Sequence, residues 1–219
     1  MKERKNGFYA KVLKRFLDIV ISLVVMVLFC WVYAIVGILV KVKLGSPVIY
    51  KTKRPGQIDP ATGNEKIFEL YKFRSMTNET DENGKLLPDP QRLTKFGRIL
   101  RATSLDELPE LVNILKGEMS IVGPRPLGLK YIPYYTDEER HRHDIRPGLT
   151  GLAQVRGRNN LSWEEKFAYD IEYVNNISLP LDIKILFETV IKVFKHEGIG
   201  QGEQRPVSLH IERKGKELR

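Results

Sequence analysis

Two acids sit side by side in this chain, Asp106 and Glu107, and Pro109 follows directly behind them. Downstream, Gly123-Pro124-Arg125-Pro126 holds a single arginine between two prolines. Proline fixes its own backbone angle, so the guanidinium is presented stiffly, as suits the grasp of a phosphate or carboxylate. Pro109 is comfortable only in a first helical turn, which predicts a helix starting at Asp106 or just before it. Leu108, Leu111, Val112 and Leu115 give that helix a buried face, and Lys116-Gly117 ends it. A plainer use of the two acids is capping, with Ser104 and Glu107 in an S-x-x-E box. Arg125 tips the balance toward a site.

Other basic groups belong to recognisable local patterns. Alternation through Phe68, Leu70 and Lys72 predicts a strand hairpinned to residues 48–53, carrying Lys72 toward its end. Arg146-Pro147-Gly148, Gly151 and Arg156-Gly157-Arg158 read as a Gly-rich basic loop able to offer N–H groups and guanidiniums to a pyrophosphate. His141 and His143 lack a further clear ligand and read as surface residues. The formal net charge is +9, which calls for an anionic partner. Aromatics are not interleaved with the basic clusters, so nucleic acid ranks low. Cys30, the sole cysteine, leaves no internal disulfide or cysteine-based zinc site to propose.

These residues must be positioned by a chain whose N-terminal part is built differently. A basic segment leads into an uncharged run, Ile19 to Val40. As one helix it would be about 33 Å long, against a hydrocarbon core of about 30 Å, so the chain reads as membrane-embedded. The run is too long for a cleaved signal peptide. Both flanks are basic, and a segment that dips in and returns keeps both on the cytoplasmic side. Asp18, with Arg15 or Lys14 one turn back, reads as an anchor at the headgroup boundary. Residues 92–101 predict a basic amphipathic helix lying on an anionic bilayer. Two more helices follow, Trp163–Tyr173, with Ser162 and Glu165 as a capping box and Asp170 aboard, and Leu181–Phe194. The tail is charged and apolar-poor, and reads as disordered.

In order, KRFLD, YKFRSM, SLDELPELVNILKGEMSIVGPRP, HDIRPGLTGLAQVRGRN and SWEEKFAYD resemble the monotopic phosphoglycosyl transferases, or bacterial sugar transferases, from about Leu13 to Phe194. The resemblance implies an α+β fold: a re-entrant membrane helix (1–45), interfacial amphipathic helices and a small mixed α/β catalytic domain (46–198), with the tail from 199 to 219. It implies transfer of a sugar 1-phosphate from a UDP-sugar to polyprenyl phosphate, releasing UMP, on the cytoplasmic face of the bacterial inner membrane. Asp106 would be the nucleophile and Glu107 would hold Mg²⁺. Arg125, Lys72, Arg158 and Asp170 would surround the phosphates and nucleotide, and Arg101 would face lipid headgroups. The implied partners are the donor, the lipid acceptor and membrane phospholipids, with a homodimer left open. Members typically break the membrane helix with a proline, where this chain has Cys30-Trp31. A non-catalytic membrane adaptor with a basic face is the rival reading, but it has no need of Asp106, Glu107 and Arg125 together.

Overall fold

A computed structural model describes residues 7–157, 160–195 and 207–214. A π turn, Tyr9–Leu13, runs into α1 (Lys14–Leu28), and α2 (Cys30–Leu44) follows at an angle of 66°. The break falls at Phe29, whose backbone (φ −109°, ψ 17°) leaves the helical region. In an unbroken helix the Leu28 carbonyl would accept from Val32. Here the Val32 N–H turns to Phe29 O at 2.9 Å, and the indole N–H of Trp31 donates to Leu28 O at 3.1 Å. The sharp bend that the missing proline put in doubt is thus made by a side-chain donor entering the helical ladder. Among the described residues no single helix is long and apolar enough to cross a membrane, but the bent pair passes that test together.

The first helix is polar inside and apolar outside. Lys14, Asp18 and Ser22, spaced four apart on one face, are buried, whereas Val20, Val24 and Val27 are exposed, as are Ile35, Ile38 and Val42 of α2. Two residues expected at a headgroup boundary have partners within the protein. Asp18 accepts from the Ile121 backbone N–H at 3.0 Å. Arg15 donates to the Ile114 and Leu115 carbonyls at 2.5 and 2.9 Å, satisfying the end of a neighbouring helix.

After α2 comes an antiparallel hairpin, β1 (Ile49–Ile58) and β2 (Glu65–Phe73), with a register shift between Pro55 and Ile58. A short turn, α3 (Asp89–Arg92), and α4 (Lys95–Ala102) replace the single helix expected over 92–101. The chain breaks there because Thr94 caps α4, accepting from Gly97 N at 3.1 Å. Leu100 is buried, while Ile99 is 63% exposed. After α5 (Glu110–Lys116) come β3 (Ser120–Val122), α6 (Asp137–Arg140) and β4 (Gly148–Thr150), and β3 pairs with β4 in parallel. The helices α7 (Leu152–Arg156), α8 (Trp163–Asn176), with its expected Ser162/Glu165 capping box, and α9 (Leu179–Lys195) close the core. That core joins Phe68 and Leu70 of the hairpin to Leu111 and Ile114 of α5, Val122 of β3, and Tyr173 and Ile185.

Two further expectations change. The glycines of the basic loop bring backbones together rather than cradling an anion. A Cβ on Gly148 would lie 2.1 Å from Gly123 N and one on Gly151 2.2 Å from Gly123 O, and the Gly148 N–H is spent on Pro124 O at 2.9 Å. Part of the tail is ordered: residues 207–214 carry α10 (Leu209–Glu212), and Leu209 is fully buried among Tyr135, Trp163 and Phe167. Leu209 supplies one apolar anchor in a polar segment, too little for composition to register.

Candidate active site

Ser104 is the only non-glycine residue of the described chain with a positive φ (57°), and it turns the backbone from α4 into a 3₁₀ turn, Leu105–Glu107. The turn, not a long helix, presents the two acids. Pro109 follows as the N-cap of α5, so the helix begins after the two acids and not at Asp106. Ser104 makes no side-chain cap bond, and Glu107 does not close the box.

Glu107 instead anchors two cations. Lys72, at the end of β2, donates to Glu107 Oε1 at 2.7 Å. Arg125 donates to the same oxygen through one terminal nitrogen, and to Oε2 through the other at 3.4 Å. Lys72 also lies 3.0 Å from Oε1 of Glu110, without hydrogen-bond alignment. Glu110 is 1% exposed. Sequence reading missed it, although it stands three and four residues from the acid pair, the spacing of one helical face.

Asp106 is left uncommitted. Among the described residues its carboxylate has no hydrogen-bond or ion-pair partner, although it is buried and lines the cleft. Burial, helped by the Glu107 charge, pushes its pKa up to about 6. Burial alone would raise the Glu107 carboxyl too, but Arg125 and Lys72 hold it well below the usual carboxylate range. Glu110, buried and beside Glu107, is pushed up to about 7. The site thus holds one carboxylate locked in its ionised form beside another poised within reach of neutral pH.

The cleft is about 820 Å³, and Lys72, Asp106, Glu107 and Arg125 meet in it, together with Arg101 and Asp170. Arg101 Nε donates to Ser75 Oγ at 2.8 Å. Asp170 is engaged: Arg142, 2% exposed, donates to Asp170 Oδ2 through Nε at 3.0 Å and a terminal nitrogen at 2.7 Å. The same guanidinium donates to the Arg125 carbonyl at 2.8 Å. Asp170 therefore fixes the arginine that fixes the Pro-Arg-Pro turn. Arg142 was not singled out from sequence, because nothing local marks a pair 28 residues apart. Its neighbour His143, expected on the surface, is buried, with Nδ1 3.2 Å from Gly56 O. Arg146 stands apart from the cleft, donating to Gly117 O at 2.9 Å beside Arg15, so it is not placed among the phosphate-binding residues. Arg158 lies outside the described residues.

Among the described residues no group of three or more His, Cys, Asp or Glu is arranged to hold a metal ion. Glu107 Oε2 accepts only the 3.4 Å bond from Arg125 and keeps lone-pair capacity.

The comparisons agree with this geometry. The family model described as "Bacterial sugar transferase" matches residues 9–196. The chain is 48% identical over 190 residues to the uncharacterized sugar transferase EpsL of Bacillus subtilis, covering 87% of this chain and 91% of that protein. It is 37% identical over 203 residues to the exopolysaccharide production protein ExoY of Rhizobium meliloti, covering 84% and 87%. Over 213 residues it is 37% identical to the undecaprenyl-phosphate galactose phosphotransferase of Salmonella typhimurium, covering 86% of this chain but 42% of that protein. It therefore spans less than half the length of the Salmonella relative, and most of the length of the other two. A match over nearly the whole chain, on a cleft where an uncommitted acid faces a cluster of cations, places this protein in the bacterial sugar transferase family, among the phosphoglycosyl transferases.

Proposed function

We propose that the chain transfers a sugar 1-phosphate from a UDP-sugar to undecaprenyl phosphate at the cytoplasmic face of the bacterial inner membrane, releasing UMP. The observation that carries this reading is Asp106, an acid without a partner next to Glu107, Lys72 and Arg125. The name of the Salmonella relative supports the lipid acceptor. The apolar outer surface of the bent α1–α2 pair supports a re-entrant anchor in the membrane that holds that lipid.

An oxygen of Asp106 attacks the sugar-bearing β-phosphorus. The bond from that phosphorus to the bridging oxygen breaks, and UMP leaves with the oxygen and its electron pair. An acyl phosphate then joins Asp106 to the sugar. An oxygen of the lipid phosphate attacks the same phosphorus, the acyl phosphate bond breaks, and the Asp106 carboxylate is restored. Arg125, whose side chain is 37% exposed, and Lys72 offset the charge that gathers as two anions approach.

Mg²⁺ in phosphoryl sites takes one or two carboxylates and completes its shell with phosphate oxygens and water, so a site without a three-ligand protein cluster fits it. Glu107 would hold the ion, which when bound supplies charge neutralisation to the pyrophosphate.

The test is UMP release by the purified protein in nanodiscs with undecaprenyl phosphate, Mg²⁺ and a panel of UDP-sugars. Release with one or a few donors, lost in a folded Asp106→Asn variant, is the expected result. Release that survives the substitution removes Asp106 as nucleophile, and no release with any donor overturns the assignment.

A further inference from the structure

The described part of the tail is fastened to one wall of the cleft. Trp163 Nε1 donates to Val207 O at 2.7 Å, and Leu209 is fully buried against Tyr135, Trp163 and Phe167. Arg213 donates to Tyr134 O at 2.7 Å and to both carboxylate oxygens of Glu139 at 2.7 and 2.8 Å. The segment thereby joins a 3₁₀ turn, Leu129–Tyr134, to the start of α8. On the cleft side of this junction stand Tyr131, its ring 5.2 Å from Trp163, and Lys166, its ammonium 4.6 Å from the Trp163 ring. Trp163 is 6% exposed and lines the cleft behind these two groups.

A second part of the cleft lining is attached elsewhere. Arg74, also in the lining, donates to Leu44 O, the last residue of α2, at 3.3 Å. A lipid acceptor arriving along the anchor meets the cleft at that side. The wall carrying Tyr131 and Lys166 is then left for the part of the donor that never joins the lipid, its nucleoside 5′-phosphate. An aromatic face beside an ammonium suits a flat base bearing a phosphate.

We propose that Tyr131 and Lys166 contact the nucleoside end of the donor, and that residues 207–214 form a strap in which Leu209 and Arg213 are positioning residues for that wall. The proposal rests on the UDP-sugar reading above and adds to it where the nucleotide lies and what shapes its seat.

The full-length protein in nanodiscs tests it with UMP as probe. The chain has two tryptophans, and since the Trp31 indole makes the α1–α2 bend it is kept, so the UMP-dependent change in emission is assigned to Trp163 by its loss in Trp163→Phe. Saturable UMP titration of that change is expected. Leu209→Ala should weaken the midpoint about tenfold, a factor equivalent to about 1.4 kcal/mol. Leu209→Met, which refills the volume, should restore it. In steady state, Leu209→Ala and Arg213→Ala should raise the donor KM about tenfold while kcat and the acceptor KM stay within about twofold. Trp163 emission blind to UMP in a protein that releases UMP overturns the proposal and leaves the transferase standing. Equal losses in kcat and both KM values also overturn it, as general damage. Saturable UMP binding in a protein that turns over no donor supports the nucleoside seat while the transferase reading fails.

Discussion

Replacing Asp106 with asparagine should make the protein more stable while removing its activity. The folded-state pKa of Asp106 is about 6, against 3.8 for an ordinary aspartate carboxyl, taken as its unfolded value. An acid with a raised folded pKa takes up protons on folding, so its burden on stability is absent at low pH and grows as pH rises from the unfolded to the folded value. At 1.36 kcal/mol per unit the difference amounts to about 3 kcal/mol at pH 7.5. Because Asp106 shares its field with Glu107 and Glu110, about 2–3 kcal/mol is the working figure. For a chain of this size each kcal/mol moves the unfolding midpoint by about 2–4 °C, so the variant should melt roughly 4–12 °C higher at pH 7.5. The gain should fall to about half by pH 5. Thermal unfolding in nanodiscs at pH 5, 6 and 7.5, without substrate, measures this. A variant no more stable than wild type at pH 7.5, or a gain that does not shrink with acid, refutes the claim that an unpartnered buried charge sits at this position.

The same carboxylate should set the acid limb of the first half-reaction. Single-turnover UMP release without acceptor should be half-maximal near pH 6, and a flat profile between pH 5 and 8 would remove Asp106 as the titrating group. Asp170→Ala should act in the opposite direction to Asp106→Asn. It leaves the Arg142 guanidinium, 2% exposed, without its partner and should cost about 3–5 kcal/mol in chemical denaturation. A loss under about 1 kcal/mol would mean that the pair does not hold Arg142. Gly148→Ala should abolish soluble expression of the folded protein or lower its midpoint severely, since the new methyl meets Gly123 N at 2.1 Å, and a well-folded variant would contradict the β3–β4 approach. In membrane vesicles Cys30, exposed at the bend, should resist an impermeant maleimide until detergent is added, and cysteines placed at Lys11 and Lys51 in a Cys30→Ser background should label from the same side. Labelling from opposite sides would establish a crossing.

What sequence could show depended on the range over which the cause acts. The β1–β2 hairpin and the α8 capping box follow from alternation and from S-x-x-E spacing, both local. Asp106 and Glu107 were visible as a pair, but the 3₁₀ turn that presents them depends on the positive φ of Ser104, a conformation that no local pattern in a serine announces. Lys72 and Arg125 were singled out separately, and their meeting on Glu107 is tertiary. Arg15, Asp18 and Arg146 were assigned to headgroups or phosphates for one reason. Each has a charge that suggests headgroups or phosphates, and each is consumed by a backbone group far along the chain. The glycines of the basic loop were read as an anion cradle because a phosphate and a neighbouring backbone both require the same missing side chain. The bend at Phe29 has its cause in one indole N–H, and family habit pointed to proline instead.

The polar stripe of α1 has a consequence for the order in which the protein can be made. Lys14 and Asp18 leave the ribosome early, yet Asp182, which receives Lys14, comes 168 residues later, and Ile121, which serves Asp18, comes 103 residues later. At about 5–20 residues per second, the stripe waits on the order of 10–30 s before its last partner is synthesised. During that interval water must serve Lys14 and Asp18, which on the anchoring proposed above lays α1 with its polar side upward at the bilayer surface. On that proposal the rest of the chain folds down onto a helix whose rotation about its own axis is already set, and the membrane acts as a template for the nascent chain.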